Sequence, residues 1–151
     1  MKNIFVIFIL LFAFSSSANE QSKTLHPSLK EFIKNELVLK TEKFLIRVDT
    51  TEEILRPNMR DENKYRYAAW DINKSMGETP DIIIYNGELV LNGGGSGYKY
   101  YQYKFKNGEY IYIVSDRLHG VYTEIMGPYS IQVYRGETLI LDQRAERFDL
   151  P

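Results

Sequence analysis

Ser115, Asp116 and His119 fall within five residues of one another. A hydroxyl, a carboxylate and an imidazole are the groups of nucleophilic acyl transfer. That chemistry needs the imidazole held in space between the other two, with donors for an oxyanion close by. Nearness in sequence supplies neither, and an ordinary loop is the simpler reading. The second arrangement is Gly93–Gly97 with Tyr98 and Lys99 behind it. A serine between glycines suggests a nucleophile elbow. The G-x-S-x-G pattern would require glycine at position 98, where tyrosine stands, and a following helix, where the pattern predicts a strand. No Lys-Ser or Lys-Thr follows, so the run is not a phosphate loop. Two readings remain: a connector that turns sharply, or a binding loop flanked by Ser96, Tyr98 and Lys99.

Metal chemistry finds no support. The chain has no cysteine and two histidines, His26 and His119, and its carboxylates show no ligand spacing. Pairs such as Glu52-Glu53 and Asp61-Glu62 read as solvated. No cofactor and no metal site are predicted, and thiol catalysis and redox roles are excluded.

Tyrosine is the stronger signal. Six of the twelve tyrosines lie in 93–114. Its ring suits a sheet core and its polar tip a recognition surface. Asn107-Gly108 is the pair favoured by a two-residue type I′ turn. The turn pairs Phe105 with Tyr110 and Tyr103 with Tyr112. It puts Tyr101, Tyr103, Phe105, Tyr110, Tyr112 and Val114 on one face. Tyr98 and Tyr100 have the other parity. A bulge near Tyr100 or Tyr101 would bring them to the same core; without it they lie on the far face, beside the glycines.

Ser96-Gly97-Tyr98-Lys99-Tyr100 resembles the S-G-x-[RK]-Y motif of the periplasmic inhibitors of c-type lysozyme, small exported antiparallel β proteins. In that family the motif lies on the surface that blocks the lysozyme cleft. The resemblance implies a binding role for Ser96, Gly97, Lys99 and Tyr100, with Tyr98 between them. It covers five residues; the family's cysteines and its Trp-x-Lys-Gly are missing here.

The elements that would position these residues begin after a leader. Lys2 and the apolar run Ile4–Phe14 precede Ser16-Ser17-Ala18. That is the pattern of a signal peptide cleaved after Ala18, and eleven apolar residues fall short of the roughly 20 that span a bilayer. The expected divisions are 1–18 signal peptide, 19–26 disordered leader, and 27–151 one β-rich domain. The product is exported, periplasmic or secreted, with no membrane span after cleavage. Residues 19–151 carry 18 basic and 20 acidic groups, so nothing attracts nucleic acid. An exported chain without disulfides points to bacteria.

Ser28 and Glu31 form a capping box, and Leu29, Phe32, Ile33 and Leu37 make a helical stripe, predicting a helix over 28–40. Phe44–Val48 and Tyr65–Ile72 read as strands. Between them, a cap at Asp49–Glu52, one helical turn to Leu55 and a polar loop over 58–63 are expected. Hairpins follow at Asn86-Gly87, Asn107-Gly108 and Arg135-Gly136, the register of the third left open between a two- and a three-residue loop. Residues 143–151 are expected to fray. The predicted fold is α+β: an antiparallel, meander-rich sheet covered by one N-terminal helix, with the choice between an open sheet and a curled or barrel-like one left undecided.

Three function classes stay open. The first is a non-enzymatic exported binding protein, a hydrolase (lysozyme-type) inhibitor or immunity-like factor. Its partner is a protein, or alternatively a carbohydrate, met at Ser96, Gly97, Tyr98, Lys99 and Tyr100. The second is a carboxylate-based hydrolase on a carbohydrate or peptide. The third is an envelope structural or assembly component that self-associates through an edge strand.

Overall fold

The computed structural model describes residues 26–29, 34–50, 60–93, 100–117 and 127–148. Eight antiparallel strands follow one another around a closed barrel: β1 (Lys34–Lys40), β2 (Phe44–Thr50), β3 (Arg60–Asp71), β4 (Ile82–Asn92), β5 (Tyr100–Asn107), β6 (Tyr110–Asp116), β7 (Tyr129–Arg135) and β8 (Thr138–Arg147). Each strand pairs with its sequence neighbours, and β1 closes on β8. That closure is narrow and staggered. It pairs Leu39 with Arg147 and Lys40 with Glu146, the last residues of both strands.

The α+β expectation is corrected. The segment predicted as a helix over 28–40 holds a short 3-10 turn, Pro27–Leu29, and strand β1. The apolar stripe misled because β1 is buried on both faces. Leu37 and Leu39 enter the barrel core, while Val38 packs outside against Leu29, Leu45, Ala68, Trp70 and Met76. A strand covered on both sides loses the alternation that marks it. A register shift between Asn35 and Leu37 breaks the period further. Among the described residues the outer sheet face is covered by a turn, not by a helix. No helix in them is long and apolar enough to cross a membrane.

The interior is aromatic. Tyr65 meets Tyr103 edge-on at 5.1 Å, and Tyr67 lies 5.4 Å from both Phe105 and Tyr112. Tyr65, Tyr67, Tyr103 and Phe105 are all buried. Burial pushes the Tyr67 hydroxyl well above the usual tyrosine range, and the neighbouring Tyr112 adds to this. The expected face of the β5–β6 hairpin is therefore the core face, but its register moves by two. Phe105 pairs with Tyr112 and Tyr103 with Val114. The turn is Gly108-Glu109 with Gly108 at φ 60°, a glycine at the first central position, as in type II′ turns. A shift of two preserves the faces, so the core composition survived the wrong turn. Gly136, at φ 58°, does the same between Arg135 and Thr138, so the third turn is Gly136-Glu137.

The hairpin expected at Asn86-Gly87 does not form. β4 runs unbroken through both residues. Asn86 takes φ 61° inside the strand, and the β3–β4 register shifts between Tyr65/Gly87 and Tyr67/Ile84. The local signal was real, but it makes a bulge. Three smaller expectations also fall. Arg60–Asn63 belong to β3, Asp49 and Thr50 to β2, and Gln143–Arg147 to β8. The remaining part of the turn predicted up to Leu55 lies outside the described residues, as do residues 1–25.

His26, assigned to the leader, is held in place. Its N–H donates to the Met76 carbonyl at 3.1 Å, and its carbonyl accepts from Leu29 at 2.9 Å. Leu29 is thereby pressed onto the outer cluster, whose centre is Trp70, with its indole N–H donating to the Glu78 carbonyl. Beside that cluster lies a buried charged group on the outer face of β2 and β3. Asp49 accepts from Arg47 Nε through Oδ1 and from Arg66 Nη2 through Oδ2, both at 2.5 Å. Arg66 Nη2 also donates to the Leu29 carbonyl at 3.0 Å.

Candidate functional site

Strand direction sorts the connections to the two ends of the barrel. One end carries the tight β5–β6 and β7–β8 turns. There Gly136 N–H donates to the Glu109 carbonyl and Arg135 Nε to Glu109 Oε1, tying the turns together. The other end carries the connections 94–99, between β4 and β5, and 118–126, between β6 and β7. This second end is where sequence reasoning placed its candidates.

Ser96, Gly97, Tyr98 and Lys99 lie outside the described residues. Tyr100 opens β5, paired with Asn92. No bulge intervenes: Asn92, Leu91 and Val90 pair in step with Tyr100, Tyr101 and Gln102. Tyr101 therefore packs on the core, and Tyr100 takes the outer face with Gln102. That outer face is polar. Asn92 Nδ2 donates to Gln102 Oε1 at 2.8 Å, and Gln102 Nε2 donates to the buried Ser115 hydroxyl at 3.4 Å. Three strands are thus joined by side chains where β4 ends and β5 begins.

The Ser115–His119 arrangement separates. Ser115 and Asp116 are successive residues of β6, so their side chains lie on opposite faces. Ser115 is on the outer face with Gln102. Asp116 lies opposite Tyr101 and Tyr129, which pack on the core. The two cannot act on one atom, and His119 lies outside the described residues. Sequence reasoning missed what Asp116 does instead. It is buried at the barrel mouth, and among the described residues Oδ1 has no hydrogen-bond partner. Desolvation raises its carboxyl above the usual range, partly opposed by the positive charge of Arg147. The parity of Tyr101 was legible, but Asp116 was read as part of an irregular segment, and the burial of its carboxylate depends on closure of the barrel.

Among the described residues no group of three or more histidine, aspartate or glutamate side chains could hold a metal ion. Comparison of the chain with protein-family models, curated proteins and solved structures finds no match.

Proposed function

We propose that this chain is an exported, non-enzymatic binding protein that engages a secreted hydrolase of the lysozyme type through the β4–β5 end of the barrel. The observation that carries the reading is Tyr100. It is half-buried on the outer face where β5 begins, above the Asn92–Gln102–Ser115 hydrogen bonds. It is also the last residue of the segment that resembles the lysozyme-inhibitor motif, Ser96-Gly97-Tyr98-Lys99-Tyr100. A barrel filled by its own aromatic side chains leaves recognition to its ends and connections. A rigid three-strand base suits a loop that must enter a cleft without ordering itself on binding.

The test uses residues 19–151 against c-type lysozymes and other secreted hydrolases, measuring both capture and inhibition. A parallel protein carries Tyr98→Ala and Tyr100→Ala. The reading requires that one hydrolase is captured and inhibited by the first protein and released by the second. A hydrolase bound equally by both would move the site away from this end. Absence of any captured hydrolase would remove the reading.

A further inference from the structure

Closure leaves most of β8 with a neighbour on one side only. β1 meets Arg147 and Glu146, so among the described residues Thr138–Ala145 pairs with β7 alone. β1 cannot run further beside it. The chain turns at Thr41, whose N–H donates to the Phe44 carbonyl at 2.9 Å and whose Oγ1 accepts from the Phe44 N–H at 2.9 Å. The four connections at the end where β8 begins, 41–43, 72–81, 108–109 and 136–137, all belong to the described residues, and none of them is a ladder partner of the strand. Exposure agrees, since Leu139 is 44% and Ile140 51% exposed.

This free stretch is apolar where an edge is usually guarded. Val133 pairs with Leu141 and Tyr134 with Leu139, which leaves Ile140 as an extra residue. Val133 and Leu141 face the core. Leu139, opposite the outward Tyr134, and the extra Ile140 therefore both stand outside. Edges that must stay single carry lysine or proline, and Thr138–Ala145 holds neither. Its charges are ordered instead. Glu137 comes just before it, Asp142 within it and Arg144 near its end. Two copies of β8 laid side by side in the same direction would set each of these charges against its like. In opposite directions the acidic start of one copy meets Arg144 of the other. Such a pair is closed by a two-fold axis and stops at two copies.

We propose that a second copy of this chain docks on β8, the two Thr138–Ala145 stretches pairing antiparallel across a two-fold axis, with Leu139 and Ile140 of both copies covering the seam. The occupant is a second copy because the charge order of the strand complements itself. One short strand from each copy makes a small interface, of the weak and reversible class. The seam lies towards the opposite end of the barrel from Tyr100 and does not depend on the hydrolase reading. Hydrolase capture and dimer formation can each fail without the other.

The experiment follows residues 19–151 from micromolar to millimolar concentration. Sedimentation equilibrium reads the mass, and amide hydrogen exchange reads β8. The expected result is a monomer–dimer equilibrium in which amides of Thr138–Ala145 gain protection as the dimer forms. Leu139→Lys together with Ile140→Lys should weaken the dimer at least about tenfold, because like charges then meet across the seam, with the circular dichroism spectrum unchanged. Orientation is read separately. The chain has no cysteine, so a nitroxide on Thr138→Cys marks a single site. Mixed with isotope-labelled parent protein, it should broaden amides of the labelled copy near Arg144 and spare those near Thr138. Four results would overturn the proposal. One is a monomer at every concentration. The second is a dimer that the double lysine variant forms equally well, or that leaves the β8 amides unprotected, which would place the contact on another surface. The third is equal protection of β8 at every concentration, which would mean that a segment of the same chain covers the edge. The fourth is broadening near Thr138 of the labelled copy, the mark of parallel pairing.

Discussion

The ring of Phe105 occupies the space that a side chain at Gly87 would need. A β-carbon at position 87 would lie 2.2 Å from Phe105 Cε1 and 2.4 Å from Cδ1. Phe105 is 1% exposed, and Gly87 lies opposite buried Tyr65. The ring has no open space into which to retreat. Gly87→Ala should therefore destabilise the barrel by about 1–3 kcal/mol through overpacking. Urea unfolding followed by tyrosine and tryptophan fluorescence measures it. Phe105→Leu in the same chain should recover part of the loss, because contacting residues do not act additively. Equal stability of Gly87→Ala and the parent would show that the ring moves freely.

This contact also shows why the sequence misled at Asn86-Gly87. The dipeptide asks for a residue at positive φ and for a residue without a side chain, and both demands are real: Asn86 supplies φ 61° and Gly87 yields to Phe105. A hairpin and a bulge make the same local request. Only the partner strands decide between them: β3, against which the register shifts, and β5, which begins at Tyr100 and supplies Phe105. The faces of β5 and β6 were legible because parity survives a register error of two. The N-terminal region was not, because Leu37, Val38 and Leu39 are buried on both sides, and helical periodicity and two-sided burial look alike over a short apolar run. Parity put Tyr100 and Tyr101 on opposite faces only if no bulge intervened, and the pairing with β4 decides that. The burial of the Asp116 carboxylate was not legible, since it follows from closure between strands far apart in sequence.

Asp49 should be the most sensitive charged position. Its two oxygens hold Arg47 and Arg66, and Asp49 and Arg66 are both wholly buried. Asp49→Ala leaves two guanidinium groups beside the apolar cluster without their shared carboxylate. Removing one member of a buried ion group costs about 3–5 kcal/mol. Asp49→Asn keeps the shape and one acceptor oxygen, so it should cost nearly as much if charge dominates. Chemical denaturation of both variants distinguishes the contributions. A loss below about 1 kcal/mol in each, the range of exposed pairs, would mean that water reaches the group.

The buried Asp116 carboxyl gives a pH dependence of defined sign. Its folded pKa is raised, by desolvation first, with Arg147 opposing. The folded state therefore holds the proton more tightly than the unfolded chain, whose carboxyl titrates near 3.8. Stability from this group is full below that value and falls as pH rises through it towards the folded pKa. At neutral pH the ionised side chain is a net cost. Asp116→Asn should raise the urea midpoint at pH 7 and lose that advantage below pH 4. Tyr101 and Tyr129 face Asp116 from the two neighbouring strands. A variant less stable than the parent at pH 7 would show that Asp116 is paired in solution.

The free side of β8 is the last place where structure and behaviour meet. Closure uses only Arg147 and Glu146, so Thr138–Ala145 has no β1 partner among the described residues. Leu139 and Ile140 are 44% and 51% exposed on this stretch. An apolar strand edge of this kind templates pairing with another chain. Few contacts hold the two side chains, so replacing both with lysine should change folding stability by no more than about 0.5 kcal/mol. The same change should slow aggregation on heating, because inserted charge blocks edge pairing. Light scattering during a thermal ramp, beside a urea curve, reads both quantities. Slower aggregation at equal stability is the outcome required. A double lysine variant that unfolds at clearly lower urea would instead make Leu139 and Ile140 part of the fold. Unchanged aggregation would place the sticky surface elsewhere on the barrel.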